Sequence, residues 1–200
     1  CRIDSAEAAA SALSDLGIGT HGLGSFERPV PLPNGDTGRA AFSTVVFDDA
    51  EVPHGSVFMC QHKTPETVWL PELLTHANTA CGLDEILVMS DTPEKDAARY
   101  ARLFADGAVR ESAQGFRVET GKASAPIGVM DRAALSALYP TIDLDTTPEG
   151  AFTGLRIKVT DIAAAAGCLE QAGIPALQTD AGIAVAPDRT SGVILEFVPA

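Results

Sequence analysis

Glu196 stands inside the apolar run Val193-Ile194-Leu195-Glu196-Phe197-Val198, where strand alternation puts it on one face with Ile194 and Val198. A carboxylate on the inward face of such a strand has lost its water, so it needs a metal, a base or a strong donor. The alternative is a Glu on the solvent rim of an edge strand. His62 follows a β-forming run and precedes Thr64-Pro65-Glu66, a helix-opening signal with proline at the first position. His76 lies fourteen residues further on, with a chain reversal around Pro71 between them. The two imidazoles can therefore approach one another, as a metal pair or as a general base and its partner. Equally, His62 and Asn78 can satisfy backbone groups where one segment hands over to the next. Trp69, the only tryptophan, reads as the hydrophobic plug of that linker. His21 and His54 read as exposed loop residues.

Two motifs fail on context. Gly17-Ile18-Gly19-Thr20-His21-Gly22 fits G-x-G-x-x-G, but a dinucleotide loop must leave a strand and open a helix. Here the glycines follow a helix, so they read as its C-terminal cap and a flexible loop. No G-x-S-x-G is present, which leaves a hydrolase nucleophile elbow unsupported.

The chemistry must be positioned by a chain of 200 residues carrying 27 acidic and 14 basic side chains, a formal net charge of −13. No Lys/Arg cluster interrupts that acidity, so neither nucleic acid nor an anionic membrane is expected as a partner. Apolar runs fall far short of a membrane span. Cys1, Cys60, Cys81 and Cys168 are scattered without metal or disulfide spacing, which reads as reduced thiols in a cytoplasmic protein, with Cys60 a buried core thiol.

An internal repeat organises the elements. Three Ala-rich segments have apolar residues at i, i+3, i+4 and i+7 and end in Leu-x-x-x-Gly, at Gly17, Gly107 and Gly173. Thr92 and Asp161 are expected to cap the second and third helices, with the three glycines in left-handed terminal positions. Strands precede the second and third helices, at 86–91 and 155–161. Short strand candidates follow each helix: 40–47 and 56–61; then 108–111, 116–120 and 126–130; then 182–186 and 193–198. The stretch 121–125 reads as a turn and 131–138 as a short helix or connector. The fold class is α+β, built of repeated βαβββ modules. Residues 1–62 form a partial module, 63–82 a linker, and 83–200 two further modules making one cup. Arg2-Ile3-Asp4 reads as the end of a leading strand, so we expect roughly one more module, ~50–60 residues, upstream of Cys1.

With this repeat the sequence resembles the vicinal oxygen chelate (glyoxalase/bleomycin resistance/dioxygenase) superfamily. More narrowly, Phe58-Met59-Cys60-Gln61-His62-Lys63-Thr64-Pro65-Glu66, then Trp69, Glu72 and His76-Ala77-Asn78-Thr79-Ala80, resemble bacterial glyoxalase-like domain proteins. Those read F-x-C-x-H-x-T-P-E, W-x-x-E and H-x-N-x-A. The resemblance implies curved mixed sheets forming cup-like half-barrels, with helices outside and a divalent metal often inside. The family's metal sits on a His or Gln of a leading strand and a Glu of a closing strand, and Glu196 matches the latter. Counting back from Asp91 puts the leading-strand position at Asp84 or Glu85, and from Asp161 at Gly154. The candidate metal ligands are thus Glu196, Asp84, His62 and His76, and the candidate catalytic residues Glu196 and His62. No leading-strand position holds His, and two carboxylates alone suit Mg²⁺ or Mn²⁺ better than a transition metal. A metal-free cup is therefore expected beside the divalent-metal alternative. By resemblance the chain is a metal-dependent lyase, isomerase or dioxygenase acting on a small oxygenated molecule. The other readings are a non-catalytic small-molecule-binding module that has lost its metal ligands, and a module that completes its cup as a homodimer.

Overall fold

A computed structural model describes residues 1–200, which divide into two compact units, Cys1–Leu74 and Thr75–Ala200. In the first unit a short leading strand β1 (Arg2–Ile3) enters helix α1 (Ala6–Asp15). Ser5 caps the helix by accepting a hydrogen bond from the Ala8 N–H, and Gly17, at φ 65°, ends it. Strands β2 (Thr20–Pro31), β3 (Thr37–Phe47) and β4 (Phe58–His62) follow, in the sheet order β1-β4-β3-β2. β1 runs parallel to β4 and the rest are antiparallel, which is one βαβββ module.

Strand β2 corrects the expectation of a flexible loop after Gly17. Its glycines and prolines argue against a central strand, but β2 lies at the sheet edge, where missing ladder donors cost little. A register shift between Thr20 and Leu23 absorbs the glycine-rich start, and His21 belongs to the strand.

The second unit contains two modules. β5 (Ala80–Met89), α2 (Pro93–Ala101), β6 (Ala108–Ser112), β7 (Gly115–Glu119) and β8 (Ile127–Met130) form the first. The connector helix α3 (Arg132–Leu138) leads to the second: β9 (Gly154–Val159), α4 (Ile162–Gln171), β10 (Leu177–Gln178), β11 (Ile183–Val185) and β12 (Ile194–Pro199). Antiparallel pairing of β5 with β9 joins them into one eight-stranded sheet, ordered β10-β11-β12-β9-β5-β8-β7-β6. β5 begins inside the stretch read as linker, and the units divide after Leu74.

Asp161 caps α4 through the N–H groups of Ala163 and Ala164. Thr92 makes no capping bond at α2; its hydroxyl lies 3.5 Å from Asp96, which accepts the Ser90 hydroxyl at 2.6 Å. Gly107 is not left-handed as Gly173 is; a Cβ there would stand 1.9 Å from the Ala101 carbonyl oxygen.

The faces of the second sheet differ. Phe197 and Ile183 pack with Ala165 under α4, whereas Ile194 and Leu87 pack with Leu135 of α3 and with Tyr139, Ile142 and Leu144 of the chain that follows it, which together make the connector to β9. Ile194 and Phe197 differ in strand parity, so α4 covers one face and the connector fills the other. No helix of the chain is long and apolar enough to cross a membrane.

Candidate functional site

Glu196 is 1% exposed, on the connector-filled face of β12. The register places it beside Arg156 on β9, which in turn stands opposite Glu85 on β5. These three strands therefore carry a carboxylate, a guanidinium and a carboxylate in one row. Arg156 Nε donates to Glu196 Oε2 at 2.6 Å, and Arg156 Nη1 donates to Glu85 Oε2 at 2.9 Å. Glu196 also accepts the Tyr139 hydroxyl at 2.7 Å and the Thr179 hydroxyl at 2.5 Å. The second Glu85 oxygen accepts from Arg117 Nη1 at 2.7 Å. Arg117 lies on β7, beyond β8, and Gly128 on β8 opens the route. A Cβ at Gly128 would stand 3.1 Å from the Glu85 carboxylate. No buried side-chain nitrogen or oxygen in the chain lacks a hydrogen-bond partner.

The surroundings of Tyr139 and Arg156 hold the protons of both side chains. Burial raises the Tyr139 phenol above its ordinary range, and the charge of Glu196 adds to that effect. The phenol stays a donor. Burial opposes the Arg156 charge, but Tyr139 and Glu196 outweigh it and hold the guanidinium above its usual range. Beside the row a cavity of about 110 Å³ is lined by Glu85, Arg117, Gly128, Met130, Leu138 and Arg156.

This donor set does not fit a divalent metal. Both carboxylates already satisfy guanidinium and hydroxyl donors, and no three His, Cys, Asp or Glu side chains anywhere in the chain gather to hold an ion. The position in register with Glu196 is Arg156, not Gly154, which lies opposite Leu87. Asp84 is the extra residue where the β5–β9 register shifts, and it pairs with Lys158 Nζ at 3.4 Å. His76 is exposed, and its carbonyl accepts from the Thr79 N–H. His62 and His76 fall in different units.

His62 ends β4 in the first unit. Its Nδ1 accepts the Trp69 indole N–H at 3.1 Å, so Nε2 carries the proton of the neutral ring. The rings of His62 and Trp69 stack at 5.6 Å, Phe42 meets His62 edge-on at 5.2 Å, and Phe26 stacks on Phe42 at 4.8 Å. Trp69 is thus no buried plug: it is 47% exposed and flanks an open cavity of about 470 Å³. Cys60, buried as expected, adjoins it, and burial raises its thiol pKa.

Much of the motif run around His62 and His76 is structural. Gln61 accepts the Ala6 N–H at the start of α1, Thr64 accepts the Ala41 N–H, and Asn78 accepts the Ala80 N–H. Sequence reasoning missed Arg156, Arg117, Tyr139 and Thr179. The available signal was an arginine in the middle of the apolar strand 154–159, which needs an acidic partner on the neighbouring strands.

The glyoxalase-like domain family matches residues 1–104. A solved structure of a hypothetical protein from Staphylococcus aureus aligns with 100% of this chain at 13% identity and TM-score 0.62. The chain spans 64% of that structure's length, and the likeness concerns the fold. Methylmalonyl-CoA epimerase from Mycobacterium tuberculosis aligns over 63% of this chain and 93% of its own, at 18% identity and TM-score 0.43. No curated protein matches the chain.

Proposed function

The chain belongs to the glyoxalase-like domain family, and on that premise we propose that it binds a small molecule without a metal ion. The observation that carries this reading is the guanidinium of Arg156 lying between the carboxylates of Glu85 and Glu196. A fixed internal cation there already compensates both buried carboxylates, which a metal would otherwise have to do. The connector supports the same reading, since Leu135 and Tyr139 fill the cup face that a substrate would need. The second unit then serves as a closed scaffold, and ligand binding belongs to the first unit. Four free cysteines fit a reducing, cytoplasmic setting.

Titration of chelator-free protein with Mn²⁺, Ni²⁺ and Zn²⁺ by calorimetry tests the reading. The expected result is no stoichiometric uptake at the cup. Replacing Arg156→His removes the internal cation and offers an imidazole between two carboxylates, so that variant is expected to gain divalent-metal affinity. Stoichiometric metal binding by the unsubstituted protein, abolished by Glu196→Gln, would overturn the proposal.

A further inference from the structure

The open face of the first unit carries a chemistry that the metal-free reading leaves unassigned. Phe26, Phe42, His62 and Trp69 form a continuous run of ring contacts across β2, β3, β4 and the turn that follows. Phe26 is 52% exposed and Trp69 47%, so the two ends of the run present aromatic surface to the cavity while Phe42 supports them from below. An exposed aromatic run of this kind costs solvation and marks a binding surface.

Its charge is what selects the ligand. The chain as a whole carries −13, yet no carboxylate lines this cavity. Arg2 on β1 and Arg28 on β2 reach it from opposite edges of the sheet, and neither forms an ion pair within the chain. Arg39 on β3, which alternation turns to the other face of the sheet, is instead paired with Glu27 at 3.0 Å. Two unpartnered guanidiniums beside stacked rings match a flat ligand with an anionic group, which guanidinium binds through paired hydrogen bonds. His62 adds one more donor, because the Trp69 indole fixes its ring proton on Nε2.

We propose that the first unit binds a planar aromatic carboxylate, its ring packed against Trp69 and Phe26 and its carboxylate held by Arg2 and Arg28. The cavity, about 470 Å³, has room for a two-ring acid. This rests on the reading of the chain as a small-molecule binder and names the class of molecule.

Trp69 is the only tryptophan, so its indole N–H gives a single, assigned-by-identity cross-peak in a ¹⁵N-labelled protein. Titrations of the full chain with 2-naphthoate and with neutral 2-naphthamide are followed at that peak. The expected result is saturable movement with both probes, the acid binding on the order of tenfold tighter or more. Arg28→Gln should reduce the difference, and Arg28→Gln combined with Arg2→Gln should erase it. Equal binding of the two probes, or a preference for the acid that survives both Arg28→Gln and Arg2→Gln, overturns the carboxylate assignment and leaves the small-molecule reading standing. An indole peak that moves with neither probe overturns the aromatic-ligand assignment, and one that is protected in a dimer of the chain overturns the assignment of ligand binding to this face as well.

Discussion

Tyr139 holds its proton because its hydroxyl is buried against Glu196, and this links one side chain to the pH range of the whole fold. Its folded pKa is raised, so its contribution to stability is fully present below about pH 10, the ordinary tyrosine value, and declines as pH rises above that. The loss should approach about 1.4 kcal/mol per pH unit. Chemical denaturation between pH 8 and 11 should therefore show a steeper alkaline decline for the parent than for Tyr139→Phe. Parallel profiles would contradict the burial argument. Glu196→Gln tests the same cluster from its other side. The neutral amide leaves the buried Arg156 guanidinium without its charged partner on this side and forces a hydroxyl of Thr179 or Tyr139 to accept where it now donates, so a loss of about 3 kcal/mol is expected in urea unfolding. Glu196 was legible in the sequence because an isolated carboxylate in an apolar strand must be compensated. Its compensation was not legible, because Arg156 lies forty residues away and only strand pairing brings them together.

At the scale of elements, the helices followed from their apolar periodicity and most strands from their turn-bounded runs. β2 did not, since glycine and proline oppose a strand unless it sits at an edge, and edge position is a property of topology. The family-like count along β5 and β9 was displaced for a similar reason. Register shifts at two points of that ladder move Asp84 out to Lys158 and leave Glu85 facing Arg156. Gly128 shows how tightly the elements are matched across strands. Gly128→Ala would press a methyl group against the Glu85 carboxylate where Leu87 already packs on the same side. A loss of about 1–2 kcal/mol is expected in thermal or urea unfolding, and it should shrink when Glu85→Ala, which removes the crowded group, is introduced together with Arg117→Gln. Additive losses would show that Gly128 makes no room for the ion row.

At the scale of the molecule, each compact unit has its own sheet and its own apolar interior. Residues 75–200 expressed alone should therefore give a β-rich circular dichroism spectrum and a cooperative thermal transition; a spectrum without either would show that this core depends on the first unit. The eight-stranded sheet also reads the same from both edges, because the antiparallel β5–β9 ladder stands at its centre. A pseudo-twofold axis through that ladder exchanges β5 with β9 and β8 with β12. Leu87 and Arg156 become equivalents under it, each at the same distance from the residue opening the following helix, and their neighbours Gly128 and Glu196 likewise. One half of the duplicated scaffold thus offers Leu87 as an apolar seat for the connector, and the other offers a salt-bridged pair at the matching place. Backbone symmetry has been kept while side-chain symmetry has been given up, so a single covalent strap can be received in only one orientation. Duplication here yields a lock with one keyed side.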